Sequence, residues 1–94
     1  MNLEIPYQVA KNGDEAFDLV MGKLDPDFLS QFKIKIEVES NRDKKIIEGS
    51  GKGFKALFSF KEDRCLVEIN LSFLLKPLGS KISKDLEEGL NNLL

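Results

Sequence analysis

The sequence predicts one α+β domain, a two-layer fold in which a curled antiparallel sheet of about five strands carries two helices on one face. Apolar and polar residues alternate in five separate segments, which is typical of half-buried strands. Two further segments show helical spacing, and short links join the later strands, which favours antiparallel pairing. The predicted order is β-α-β-β-β-β-α over residues 1–94, a length that fits a single domain.

The first strand and the first helix occupy the N-terminal quarter. The apolar residues of the strand are Leu3, Ile5, Tyr7 and Val9. Pro6 has no N–H to donate to a neighbouring strand, so this strand is predicted at a sheet edge. Asn12 is a candidate helix N-cap, with Glu15 completing a capping box. The helix is predicted over about 13–24, and Asp25-Pro26-Asp27 ends it.

Four strands with period-two patterns follow. Their alternating apolar residues are Phe32, Ile34, Ile36 and Val38, then Ile46-Ile47, then Phe54, Ala56, Phe58 and Phe60, then Cys65, Val67, Ile69, Leu71 and Phe73. The second of the four is predicted to be short, because it runs into the stretch Gly49-Ser50-Gly51-Lys52-Gly53. With Glu62-Asp63 as a turn, the register of the last two strands pairs Ser59 with Leu66.

The last predicted helix begins near Pro77, a residue that suits a first helical turn. One stripe of its surface is apolar and consists of Leu78, Ile82, Leu86, Leu90 and Leu93. The stripe predicts packing on the sheet. The alternative is that it docks on a hydrophobic partner, a granule surface or a lipid.

Composition argues against several function classes. The chain has no His, one Cys and a net charge of −2, so the usual catalytic triads and His or Cys metal sites are not expected. We therefore expect no enzyme and no cofactor, and no nucleic-acid partner.

The longest apolar runs have three residues, too few for a membrane span. The N-terminus lacks a signal-peptide pattern and the single thiol permits no intrachain disulfide, which predicts a cytoplasmic setting.

Two local features suggest chemistry that their context disfavours. The stretch Gly49–Gly53 lacks the spacing of a phosphate-binding loop and precedes a strand, so it predicts a hairpin turn or bulge with positive φ at glycine. Cys65 shares the strand parity of Val67 and is predicted to pack as a small apolar residue.

Residues 71–82 carry the pattern of a known family. A strand ends in Leu71-Ser72-Phe73-Leu74-Leu75 and is followed by Lys76-Pro77-Leu78 and a Leu-striped helix, and Gly53 precedes the penultimate strand. This pattern resembles the polyhydroxyalkanoic acid system proteins, small bacterial proteins often encoded near polyester-granule genes, mainly over residues 45–94. Two positions depart from the family. Ser72 stands where the family has Gly, and the His that the family tends to carry after its first strand is absent from this chain. The resemblance implies a fold and a link to polyhydroxyalkanoate metabolism, and it supplies no catalytic residues.

The leading hypothesis is a non-enzymatic accessory or binding protein for a hydrophobic ligand. The candidate apolar ligand face consists of Phe54, Phe58, Phe60, Val67, Ile69, Phe73, Ile82 and Leu86. The same face is alternatively filled as an ordinary core. The second hypothesis is a protein-protein interaction or homodimerisation module without a small-molecule ligand. Its candidate interface residues are Leu57, Leu66, Leu74 and Leu75.

Overall fold

The computed structural model describes residues 2–24, 36–73 and 75–94. The elements are β1 (Asn2–Pro6), α1 (Gly13–Lys23), β2 (Glu37–Asn41), β3 (Ile46–Gly51), β4 (Phe54–Phe60), β5 (Arg64–Leu71), a 3₁₀ turn (Lys76–Leu78) and α2 (Gly79–Leu93). The five strands form one antiparallel sheet in the order β1-β5-β4-β3-β2. The predicted α+β class and element order are confirmed, and β1 lies at an edge as Pro6 indicated.

One face of the sheet forms the core together with the two helices. The register places Cys65 opposite Phe60 and Val67 opposite both Leu3 and Phe58, so these side chains share that face. The predicted pairing of Ser59 with Leu66 is confirmed. The core residues are Ile5, Ala10, Ala16, Phe17, Val20, Ile47, Ala56, Phe58, Phe60, Cys65, Val67, Ile69, Leu90 and Leu94.

Three strand boundaries differ from the prediction. β1 ends at Pro6, because the N–H groups of residues 8–10 donate to the carbonyl of Leu94 and not to β5, which leaves Val9 exposed. β3 is longer than predicted, because Gly49 to Gly51 still pair with β4. β5 ends at Leu71, short of Phe73. The predicted strand residues Phe32 and Ile34 lie outside the described residues.

Helix α1 packs over the C-terminal end of β4. Phe17 packs edge-on against Phe60 with ring centroids 5.7 Å apart. The guanidinium of Arg42, in the β2–β3 turn, lies 4.8 Å from the centre of the Phe17 ring and pairs with Asp18 at 2.7 Å. At the start of the helix, the N–H of Glu15 donates to the Asn12 side chain, which confirms the predicted N-cap.

Helix α2 is attached mainly through its second half. Leu90 and Leu94 are buried and Leu86 packs against the core, whereas Leu78 is 51% exposed. Among the described strands, its main neighbour is the edge strand β1. The carbonyl oxygen of Leu94 accepts hydrogen bonds from the N–H groups of residues 8–10, at 2.8, 2.5 and 2.9 Å. Of the predicted apolar stripe, only the later residues therefore belong to the core or pack against it. No helix in the described ranges is both long and apolar enough to cross a membrane.

Gly13 begins α1 where the helix meets the end of β4. A Cβ at this position would lie 2.9 Å from the carbonyl oxygen of Lys61 and 3.0 Å from that of Phe60. Both oxygens belong to the backbone and cannot rotate away. The close approach of helix and strand therefore requires glycine here.

We expect Gly13→Ala to lower the free energy of unfolding by about 1–3 kcal/mol, because the added methyl group forces helix and strand apart. Gly89 in α2 is the matched control, since a Cβ there meets nothing within 4 Å. Gly89→Ala is expected to raise the free energy of unfolding by about 0.5–1 kcal/mol. Chemical denaturation of both variants measures the effects. A Gly13→Ala variant as stable as the native protein would contradict the close approach.

Candidate functional site

Most of the predicted ligand face is buried inside the protein. Phe58, Phe60, Val67 and Ile69 are at most 9% exposed, and Phe54 packs partly against them. Leu86 also packs partly against the core, and Ile82 is half-buried. The structure thus brings these residues to one face, where neighbouring side chains cover the sheet.

A groove formed by the described residues lies elsewhere, along the polar side of α2. Its volume is about 640 Å³. The residues that line it are Ser80, Ser83, Lys84, Glu87, Glu88 and Asn91. All six lie on the polar side of one helix, so the groove is open to solvent and does not enclose a hydrophobic ligand.

Phe73 departs from the prediction, because it lies beyond the end of β5 and not on the sheet face. Its side chain is 86% exposed. The hairpin register explains the difference: Leu71 pairs with Phe54, the first residue of β4. Continuing that register by two residues would place Phe73 opposite Lys52, in the turn, where no strand is available. The predicted register thus contained the signal that excludes Phe73 from the sheet.

Phe73 begins an exposed apolar segment between β5 and α2. Pro77 is exposed, Leu78 is 51% exposed and Leu75 is half-buried. We call Phe73, Leu75, Pro77 and Leu78 the turn surface. Leu74, also predicted as an interface residue, lies outside the described residues. Phe73 is the most exposed of the large apolar residues that the structure describes.

Hydrogen bonds hold the backbone of this segment in place. The carbonyl oxygen of Ser72 accepts from the N–H groups of Leu75 and Lys76 at 3.0 and 3.1 Å, and the Ser72 N–H donates to the Gly53 carbonyl at 2.8 Å. Gly53 has φ +80°, and a Cβ there would lie 2.6 Å from Ser72 Oγ. This confirms the predicted positive-φ glycine, and it fixes the β3–β4 turn against the turn surface.

The outer face of the sheet contains a second group of apolar residues. Leu57 and Leu66 are diagonal neighbours on β4 and β5, as predicted, and both are half-buried. Ile46 on β3 lies opposite Ser59 and adjoins them, a neighbour that the sequence reasoning missed because Ile47 also fitted the strand. Ion pairs flank the group, between Lys55 and Glu48 at 3.4 Å and between Arg64 and Glu4.

The titratable groups of the core do not form a nucleophile–base pair in the part of the chain that the structure describes. Cys65 is fully buried, and burial raises the pKa of its thiol to about 12. The hydroxyl of Tyr7 donates to the Lys61 carbonyl at 2.8 Å. Burial, together with the negative charges of ionised Cys65 and of Asp63, raises the pKa of Tyr7. Within the same residues, no cluster of three or more Cys, Asp or Glu has the geometry of a metal site.

Comparison with models of known families, with curated proteins and with solved structures finds no significant match to this chain. The resemblance of residues 45–94 to the polyhydroxyalkanoic acid system proteins stays a prediction.

We expect the protein to lose stability above pH 9. The pKa of Cys65 rises from an ordinary 9.0 to about 12 in the folded state. As the pH rises past 9, the unfolded chain therefore releases the thiol proton first, and the free energy of unfolding decreases. Urea unfolding at pH 9.0 and 10.0, below the full ionisation of tyrosine, measures this decrease.

The matched control is Cys65→Ala, which removes the titrating group and keeps a small apolar residue. Its free energy of unfolding should fall less over the same pH interval. An equal decrease in both proteins would mean that another group causes the alkaline loss.

Proposed function

We propose that this chain is a non-enzymatic binding protein that attaches to a hydrophobic partner through the turn surface. The observation that carries the proposal is Phe73, which is 86% exposed in a hydrogen-bonded turn. Leu78 lies five residues further along, at the end of the 3₁₀ turn, and is 51% exposed. Both residues therefore expose apolar area to water between β5 and α2.

The turn surface suits binding because its apolar area is accessible before the partner arrives. Burying a phenylalanine side chain contributes about 1.5–3 kcal/mol. The backbone around Phe73 is already ordered by its hydrogen bonds, so binding loses little additional conformational entropy there. These two terms together favour association with an apolar surface.

The buried sheet face is less suited to a ligand. Phe58, Phe60 and Val67 already pack against other side chains, and a ligand would have to displace them. The hydrophobic contact therefore lies on the turn surface and not on the sheet face. A connection with polyhydroxyalkanoate metabolism rests on the resemblance of residues 45–94 alone.

The test uses an uncharged fluorescent fatty acyl ester as an apolar probe. We expect the double variant Phe73→Ser, Leu78→Ser to bind the probe at least about tenfold more weakly than the native protein, because most of the apolar area is lost. Val9→Ser is the matched control, since Val9 is 57% exposed at the opposite end of β1. It should bind like the native protein.

Circular dichroism confirms that the variants are folded before binding is compared. If the double variant binds the probe as tightly as the native protein, the turn surface is not the binding site. An equal loss in Val9→Ser would show that the probe adheres to any exposed apolar residue, which also contradicts the proposal.

The second candidate is a homodimer through the outer face of the sheet. Ile46, Leu57 and Leu66 form a half-buried apolar group there, and charged residues of both signs surround it. Such a face is able to pair with a second copy that offers the same pattern.

We expect the mass measured by sedimentation to rise with concentration if the outer face dimerises, and Leu57→Lys to abolish the rise. Phe73→Ser is the matched control, because it changes an apolar residue outside the sheet. A native protein that stays monomeric over a wide concentration range would eliminate the homodimer.

A further inference from the structure

Lysine residues lie in and next to the segment that forms the turn surface. Residues 69–84 contain Lys76, Lys81 and Lys84 and no Asp or Glu, although the whole chain has a net charge of −2. Lys52 joins them from the β3–β4 turn, because the adjacent Gly53 accepts a hydrogen bond from the Ser72 N–H at 2.8 Å. Four lysines therefore belong to the segments that form or adjoin the turn surface, and the first acidic residue beyond them in α2 is Asp85.

These charges are largely available to a partner. Within the described part of the chain, Lys52, Lys76 and Lys84 form no ion pair. Lys81 pairs with Asp85 at 3.2 Å, but both side chains are more than 60% exposed. Such an exposed pair contributes little to stability, so Lys81 is able to exchange Asp85 for another anionic group.

From this arrangement we propose that the turn surface binds the surface of an anionic lipid bilayer. Phe73 and Leu78 enter the boundary between headgroups and acyl chains, and the lysines of the same segment contact the anionic headgroups. The inference rests on the proposed function, since it names the partner of the same surface. Binding of this kind combines buried apolar area with electrostatic attraction.

Only the turn, and not the whole of α2, is available for this contact. Leu86, Leu90 and Leu93 face the core, so the helix cannot lie flat on a bilayer with its apolar stripe inserted. Phe73 projects from the fold with most of its side chain in water. An exposed aromatic ring in a lysine-containing segment matches a soft anionic surface better than a folded protein partner, which would need to supply a fitted pocket.

The test is cosedimentation with vesicles. We expect the native protein to bind vesicles that contain phosphatidylglycerol, to bind pure phosphatidylcholine vesicles much more weakly, and to lose affinity as salt is added. Phe73→Ser should weaken binding by about tenfold. Lys76→Gln should weaken it by about fivefold, the contribution of one lysine near an anionic surface.

Matched controls come from the opposite end of β1. Val9→Ser and Lys11→Gln change an exposed apolar residue and an exposed lysine there, and both variants should bind like the native protein. If Lys11→Gln weakens binding as much as Lys76→Gln, the attraction is only a general effect of net charge and the inference fails.

The vesicle experiment separates this inference from the proposed function. A native protein that binds the fatty acyl ester through the turn surface but does not bind anionic vesicles overturns the lipid inference and leaves the proposed function standing. If Phe73→Ser, Leu78→Ser changes neither probe nor vesicle binding, both fail.

Discussion

Three backbone N–H groups, of Gln8, Val9 and Ala10, converge on the carbonyl oxygen of Leu94. This interaction decides how α2 is attached. A hydrogen bond of this kind contributes about 1 kcal/mol, and the buried Leu94 side chain adds about 1.5–3 kcal/mol. The second half of α2 is thereby fixed beside β1. The first half is less buried, since Ile82 is only half-buried and Leu78 before it is 51% exposed, and the turn surface stays in contact with water.

The other helix closes the remaining core. The Phe17 ring against Phe60, with Arg42 above it, joins α1 to both β4 and the β2–β3 turn. Charged residues at this junction are exposed, and the packing is carried by the rings. The described side chains of the sheet face are consequently engaged with one another, and the surfaces open to partners lie on the outer sheet face and on the turn.

Much of the fold was predictable because its signals are local. The alternation of apolar and polar residues predicted the strands, and the Asn12 cap predicted the start of α1. The Glu62-Asp63 turn predicted the register of β4 and β5. The predictions that failed concern the ends of strands, because tertiary contacts decide where a strand ends. Val9 fits the pattern of β1, but its N–H donates to Leu94, a residue 85 positions away. No pattern in a single segment carries that information.

The candidate site was predictable only in part, for a related reason. Phe73 continues the parity of β5, and the sequence pattern alone assigned it to the sheet face. Its exposure depends on where β4 begins, and hence on the Lys52-Gly53 turn. Leu75 was predicted as a contact residue because it falls off the helical stripe, and the structure places it half-buried in the turn before α2. Ile46 was missed because two consecutive isoleucines leave the parity of β3 ambiguous.

The pairing of β1 with β5 also has a consequence for the order of folding. Leu3 pairs with Val67, and Gln8 to Ala10 bind Leu94, so the partners of this segment lie 64 to 86 residues away. Contacts of such long sequence separation slow folding. We therefore expect the β2–β5 meander, whose neighbouring strands are joined by short turns, to form first, and β1 to join β5 afterwards.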